Sequence, residues 1–184
     1  MIILKVYVHL AEGFEEIEAL TVVDVLRRAE IDVQTVSVTG KKEVTGSHQI
    51  KVIADSLFEE TDYSKADMIV LPGGMPGTLN LEKHEGLREK LLEFQNSGKW
   101  LAAICAAPSV LGKLELLKGK TATCYPGFEK YLVDAEICED PVVVAGNVIT
   151  SRGPGTAIYF ALELARIIKG EETANKLKKG MIVK

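Results

Sequence analysis

The sequence of 184 residues contains few cysteine and histidine residues, the residue types that form disulfides and bind metals. It contains three cysteines and three histidines. The cysteines are odd in number with no paired spacing, and no Cys/His pair has the spacing of metal ligands. These absences argue against a disulfide framework and predict no metal site, and we expect a protein of the reducing cytoplasm.

Long hydrophobic runs, basic blocks and a dinucleotide fingerprint are also lacking. No apolar run approaches the roughly 20 residues that span a bilayer, and the apolar start MIILKVYVHL has neither the basic beginning nor the cleavage site of a signal peptide. The formal charge is −4 without a Lys/Arg-rich block, so nucleic acid is not indicated. After the first predicted strand only Gly13 is present where a dinucleotide fold needs G-x-G-x-x-G, which disfavours a nicotinamide or flavin dehydrogenase.

What the sequence does contain is an alternation of short strands and helices. Hydrophobic residues make up 47% of the chain and charged residues 26%, and we expect one globular domain over residues 1–184. Apolar runs of strand length cover 3–8, 33–38, 67–71, 100–104 and 142–145. Helical patterns cover 14–30, 87–98 and 156–170. The alternation predicts an α/β fold, a doubly wound, mainly parallel sheet with helices on both faces.

Three further segments predict small additions to this fold. Residues 43–52 and the stretch near 121–124 are interpreted as hairpin or edge-strand additions. The glycine-rich stretch 151–157 leads into a helix and is interpreted as a tight turn.

Ligands of such sheets bind at the carboxyl ends of the strands, near a switch in strand order. One of these ends carries Cys105, where a strand turns into a helix that Pro108 begins. Free N–H groups and the helix dipole stabilise an anion there, which lowers the pKa of a thiol. A buried cysteine acting as a small hydrophobic residue is the alternative, and this segment alone does not decide between them.

The stretch LPGGMPGT follows another predicted strand and supplies Gly73 and Gly74. Glycines let the backbone approach a ligand closely and offer N–H donors, although an ordinary turn also explains the stretch. No Lys-Ser/Thr follows, so it is not a phosphate-binding loop of the Walker type.

The stretch AEGFEEIEA follows the first strand and supplies acids. Glu15 and Glu18 share a predicted helix face, whereas Glu16 points elsewhere. Acids in a first helical turn also simply complement the helix dipole. These residues therefore leave a catalytic and a structural role open.

Five stretches together resemble the ThiJ/PfpI superfamily, and within it the branch named DJ-one (the parkinsonism-associated deglycase) and its bacterial relatives. They occur in register over nearly the whole chain: AEGFEEIEA, VVDVLRRA, IVLPGG, AAICAAP and TSRGPGT. The resemblance implies a flavodoxin-like fold, a chain that is usually homodimeric, and no metal or organic cofactor.

The resemblance also implies roles at matching positions. Cys105 resembles the reactive cysteine, and Glu18 resembles the acid that hydrogen-bonds it. The amides of Gly74 and Ala106 resemble an oxyanion hole. A carboxylate and a thiolate in one pocket repel each other, so we expect one of the pair to keep its proton. Further residues are expected around the pocket: Glu15, Gly73, Tyr125 and Arg152.

At two positions the sequence lacks a histidine that parts of the family have. Animal members often have histidine where Tyr125 stands in TATCYPGF. The protease-like branch has histidine directly after its cysteine, where this chain has Ala106. Both substitutions make a Cys-His peptidase mechanism doubtful.

The implied function is that of a cofactor-independent cysteine enzyme acting on reactive dicarbonyls, either a glutathione-independent glyoxalase or a protein deglycase. Its partners would be a small dicarbonyl substrate or a glycated protein, and a second copy of the chain. The alternative is a non-enzymatic, chaperone-like redox-sensing or stress-response protein that works through oxidation of Cys105, and an amidase or peptidase ranks last. His48, on the predicted hairpin, could reach a partner subunit.

Overall fold

The structure is a computed structural model that describes residues 5–184 and is organised around a seven-stranded sheet. The strands are β1 (Lys5–Leu10), β2 (Asp32–Ser37), β3 (Glu43–Thr45), β4 (Lys51–Ile53), β5 (Ser56–Leu57), β6 (Met68–Leu71), β7 (Trp100–Ile104), β8 (Thr121–Ala122), β9 (Glu136–Ile137), β10 (Val142–Ala145) and β11 (Val148–Ser151). The α-helices are α1 (Glu16–Arg28), α2 (Gly77–Lys83), α3 (Glu85–Asn96), α4 (Pro108–Lys113), α5 (Ala157–Lys169) and α6 (Glu171–Gly180).

The large sheet has the strand order β10-β11-β7-β6-β1-β2-β5. Its neighbouring strands are parallel except for β10 and β11, which pair antiparallel at the edge. The order changes direction at β1, which lies between β2 and β6, so the switch point falls between β1 and β6. The prediction of a doubly wound, mainly parallel, flavodoxin-like sheet is confirmed.

Helices cover both faces of the sheet and divide the core into two layers. One layer contains apolar residues of α1 and α5, and the other contains apolar residues of α2, α3 and α4. All four residues of β6 are buried. A strand covered on both faces reads as a continuous apolar run, which is why MIVL does not alternate.

The predicted elements agree with most of this sheet and differ toward its two edges, where β5 and β11 were not predicted. The strand predicted over 142–145 exists as β10, but it is antiparallel. Its partner β11, a central parallel strand, was not predicted because its sequence VITS is short and ends in two hydroxyl residues. Residues 3 and 4 of the predicted strand 3–8 lie outside the described residues.

The two predicted additions have different outcomes. Residues 43–53 form an antiparallel hairpin from β3 and β4, as expected. Near 121–124 the chain forms a short parallel pair, β8 with β9, rather than a hairpin. The predicted turn at 151–157 contains the end of β11 and a 3₁₀ turn over Pro154–Thr156. Among residues 5–184, no helix has the length and apolarity that crossing a membrane requires.

Candidate active site

Cys105 lies at the elbow between β7 and α4, in a backbone conformation that is uncommon for a side-chain-bearing residue. Its φ is 65°, in the left-handed region, which costs about 1–3 kcal/mol and must be held by surrounding structure. The Cys105 N–H donates to the carbonyl of Ser151 at 2.9 Å, and the Cys105 carbonyl accepts from the N–H of Tyr125 at 2.8 Å. These two bonds fix the elbow between β11 and the loop after β8.

The carboxyl group of Glu18 stands beside the Cys105 thiol. Glu18 is in the first turn of α1 and is fully buried. Its Oε2 accepts a hydrogen bond from the Gly73 N–H at 2.7 Å. Its Oε1 has no hydrogen-bond partner among the described residues, and the side chains of Glu18 and Cys105 both lie against Gly73. A side chain from the first turn of α1 thus lies beside a side chain at the end of β7.

Because the two groups lie close together, the ionisation of the carboxyl group and that of the thiol depend on each other. Burial raises the pKa of Glu18 to about 7, against the opposing effect of hydrogen bonds from Cys105 and Gly73. Burial, and then the charge of Glu18, raise the pKa of Cys105, while the amides of Ala106 and Gly74 lower it. Two acids in one dry pocket cannot both ionise freely, so the pair keeps at least one proton near neutral pH. Moving that proton between oxygen and sulfur creates the thiolate.

The glycine pair after β6 is what lets these groups approach. A Cβ on Gly73 would lie 2.7 Å from the Cβ of Cys105 and 2.8 Å from Oε2 of Glu18. Gly74 has a φ of 90° and a Cβ there would collide with the backbone N of Glu15. The amides of Gly74 and Ala106 both act on the Cys105 sulfur. The stretch that reads as an ordinary turn in the sequence is therefore packed directly against the thiol.

Tyr125 and Arg152 border the elbow on its other side. Tyr125 is half exposed, and its ring lies against Gly153, where a Cβ would come within 3.1 Å of the ring. Arg152 is half-buried and its charge lowers the pKa of Cys124, against the larger effect of burial, which raises that pKa. Cys124 belongs to the opposite core layer from Cys105. Tyr125 thus adjoins Cys105 through its backbone, whereas Arg152 acts on a different thiol.

Glu15 and Glu16 form a cluster with the hairpin loop that the sequence did not predict. Both are buried, and the side chains of both accept from the Ser47 hydroxyl at 3.2 Å. His48 donates its backbone N–H to Glu16 Oε1 at 2.7 Å and places Nδ1 at 2.9 Å from Glu16 Oε2. Although burial raises it, hydrogen bonds from His48 and backbone amides bring the pKa of Glu16 to about 2. The partners are separated by more than 30 residues, so no local pattern indicated them.

The other two histidines, His9 and His84, form hydrogen bonds with residues other than Cys105. His9 Nε2 is 2.6 Å from the hydroxyl of Tyr63, and His84 Nδ1 accepts from the N–H of Leu87 at the start of α3. Within residues 5–184, no histidine is hydrogen-bonded to Cys105 or Glu18. The thiol is paired with a carboxyl group instead of an imidazole.

The fold and this geometry define a class: flavodoxin-like α/β proteins in which a cysteine at a strand-to-helix elbow shares its pocket with a carboxyl group. The model of the DJ-1/PfpI family matches residues 4–167. The chain belongs to this family, and the resemblance read from the five sequence stretches is confirmed.

Individual relatives agree with this assignment over nearly the whole chain. The chain is 41% identical over 179 residues to protein dj-1beta of Drosophila melanogaster, covering 96% of this chain and 95% of that protein. It is 39% identical over 180 residues to protein DJ-1 homolog B of Arabidopsis thaliana, covering 97% of this chain but only 41% of that protein. The solved structure of oxidized Toxoplasma gondii DJ-1 superimposes with a TM-score of 0.93 at 37% identity, covering 97% of this chain and 98% of that one.

Proposed function

We propose that the protein is a cofactor-independent cysteine enzyme that converts reactive dicarbonyls to hydroxy acids, as a glutathione-independent glyoxalase. The observation that carries the proposal is the placement of Cys105 and the buried carboxyl group of Glu18 together against Gly73, with the amides of Gly74 and Ala106 lowering the pKa of the same thiol. A nucleophile with an adjacent proton carrier and two fixed N–H donors is what addition to a carbonyl requires. Removal of early glyoxal adducts from proteins, the deglycase activity, would use the same groups.

The first half of the reaction is addition to the aldehyde. The thiol proton passes to Glu18, the sulfur of Cys105 bonds to the aldehyde carbon of methylglyoxal, and the carbonyl electron pair moves onto oxygen. The amides of Gly74 and Ala106 hold this oxyanion until the Glu18 proton neutralises it, which gives a hemithioacetal.

The second half moves hydrogen between the two carbons. The Glu18 carboxylate removes the proton of the former aldehyde carbon, an enediol forms, and the proton returns to the neighbouring carbon. This oxidises the first carbon to a thioester and reduces the second to an alcohol, so no external oxidant or reductant is needed. Water then cleaves the thioester, and lactate leaves with the thiol restored.

The test is lactate formation from methylglyoxal in the absence of glutathione or any other thiol. We expect turnover in the wild type, loss in Cys105→Ala, and retention in the matched control Cys124→Ala, whose thiol lies in the opposite core layer. Lactate is measured because amines and thiols trap the aldehyde reversibly. Equal lactate from wild type and Cys105→Ala would refute the proposal.

A second candidate function is redox sensing by Cys105. It is supported by a thiol that is 9% exposed, flanked by two amides and a carboxyl group that can hydrogen-bond sulfinate oxygens. The solved Toxoplasma gondii relative is described as oxidized. Two equivalents of peroxide would take the thiolate through sulfenate to sulfinate, each releasing one water or hydroxide.

Mass spectrometry after low peroxide doses tests this candidate. We expect sulfinate at Cys105 before any oxidation of Cys124 or of the half-buried Cys138. Equal oxidation of the three cysteines would contradict it. Selective oxidation together with negligible lactate would favour sensing over catalysis.

We also propose that the chain is a homodimer formed through α1 and the β3–β4 hairpin. This surface exposes four large apolar side chains: Ile17, Leu20, Ile50 and Ile53. A hydrogen bond from the Ile50 N–H to Glu16 holds the hairpin beside α1, and a contiguous apolar patch favours association. Light scattering should give the mass of two chains for the wild type and for the control Ile182→Glu, and of one chain for Leu20→Glu. A wild type with the mass of one chain would exclude the dimer.

A further inference from the structure

We propose that Glu15, Glu16 and His48 bind one divalent transition-metal ion, best matched by zinc, where the hairpin loop covers the start of α1. Their ligand atoms all lie within 4.8 Å of one another. Among the described residues the cluster makes no hydrogen bond to Cys105 or Glu18, although the charge of Glu15 contributes to the raised pKa of Glu18. The proposal does not rest on the function proposed above.

The distances within the cluster suit a tetrahedral ion. His48 Nδ1 is 2.9 Å from Glu16 Oε2 and 3.5 Å from Glu15 Oε2. Zinc bonds of about 2.0–2.2 Å at tetrahedral angles separate neighbouring ligand atoms by about 3.3–3.6 Å. The two separations that involve His48 thus lie within about 0.5 Å of this range, and the third ligand pair lies within 4.8 Å.

The charge of the cluster also requires a cation. The side chains of Glu15 and Glu16 are 10% and 5% exposed, and within residues 5–184 no Lys or Arg nitrogen lies within 4.0 Å of either. Two buried carboxylates side by side repel each other. The imidazole of His48, 68% exposed, is the basic side chain beside them, and in its neutral form it binds a metal ion that supplies the positive charge.

Hydrogen bonds leave the outward side of these carboxylates free for a ligand. The N–H groups of His48 and Ile50 occupy Glu16 Oε1. Oε2 of each glutamate instead faces His48 Nδ1, and its other polar contact is the Ser47 hydroxyl, which can rotate to solvent. Three atoms from three side chains thus converge on one point without a backbone donor between them.

The ligand set and the surrounding space favour zinc with an exchangeable position. One imidazole with two carboxylates suits zinc, whereas calcium and magnesium prefer oxygen ligands alone. A surface cavity of about 360 Å³ adjoins the cluster and is lined by Ser47, Gly46 and Glu12, among others. Because the His48 side chain is 68% exposed, water has access to the cluster as a fourth ligand.

Equilibrium titration of the full-length protein with Zn²⁺, in competition with a chromophoric chelator, tests the proposal. We expect one ion per chain in the wild type and at least about tenfold weaker binding in His48→Ala and in Glu15→Gln. Glu43→Gln is the matched control, because Glu43 is an exposed acid of the same hairpin that pairs with Lys51. It should bind within about twofold of the wild type.

The variant Cys105→Ser tests whether zinc binds the Cys105 thiol instead of the cluster, because thiolates are good zinc ligands. Its zinc affinity should equal that of the wild type. Binding that is lost in Cys105→Ser but kept in His48→Ala would overturn the proposal, as would a wild-type Kd weaker than about 100 μM. Anomalous diffraction at the zinc edge should place the ion between the three ligand atoms, and a peak at the Cys105 sulfur would also overturn it. His48 is exposed, so its replacement leaves the core intact, which circular dichroism can verify.

Discussion

His9 makes the stability of this protein depend on pH in a way that can be calculated from its surroundings. The side chain is fully buried on β1, with Nε2 2.6 Å from the Tyr63 hydroxyl. Nδ1 has no partner among the described residues. Burial, assisted by the charge of His84, lowers the pKa of His9 from 6.5 to about 3. The folded protein therefore holds this ring neutral.

The sign and size of the effect follow from proton linkage. Between pH 6.5 and about 3, the unfolded chain binds a proton at His9 that the folded protein does not. The contribution of His9 is complete above the unfolded pKa and is lost as the pH falls, by about 1.4 kcal/mol per unit. From pH 7 to pH 5 the loss is about 2 kcal/mol, a large part of the 5–15 kcal/mol that stabilises an ordinary domain.

Urea denaturation of wild type and His9→Gln at pH 7, 6 and 5 measures this loss. Glutamine keeps a polar group for Tyr63 but does not titrate, so the stability of the wild type should fall relative to the variant by about 2 kcal/mol over this range. Other titrating groups are common to both proteins and cancel in the difference. They include Glu18, whose raised pKa acts in the opposite direction between 4.5 and about 7. A difference that stays constant with pH would refute the reasoning.

Two further predictions concern the packing and chemistry of the thiol site. Glu18→Gln keeps the shape of the side chain but cannot carry the proton, so lactate turnover should fall at least about 100-fold, while Cys105 still reacts with iodoacetamide; full turnover in a folded variant would contradict the proposed mechanism. Gly73→Ala places a methyl group 2.7 Å from the Cβ of Cys105 and should lower the free energy of unfolding by about 1–3 kcal/mol and abolish turnover. The matched control is Gly155→Ala, where nothing lies within 4 Å of the new Cβ, and its melting temperature should stay within a few degrees of that of the wild type. Equal melting temperatures for both variants would contradict the predicted destabilisation by Gly73→Ala.

The sequence predicted most of the sheet because its central strands are long apolar runs and its helices carry a regular apolar face. The helices predicted over 14–30, 87–98 and 156–170 appear as α1, α3 and α5 with ends displaced by a few residues. Gly98 and Gly170, at which two of these predicted ranges end, adopt positive φ. The strand β11 was missed because burial of its Thr and Ser residues depends on neighbouring strands and not on local periodicity.

The location of the site could also be predicted, whereas its internal arrangement could not. Strand ends and small residues identified Cys105, Glu18 and the glycine loop as neighbours. Which groups touch the sulfur was set by the left-handed backbone at Cys105 and by the close approach of Gly73, both of which depend on contacts between distant segments.

The sequence by itself determined the fold class, the family and the residues at the strand ends, because these depend on local periodicity and on motifs in fixed order. Only the tertiary structure decided which protons are shared and which charges are buried together. It paired Glu18 with the thiol, held His9 neutral against Tyr63, and brought His48 to Glu16 across more than 30 residues. A pKa depends on distance and on exclusion of water, and neither is fixed until the chain has folded.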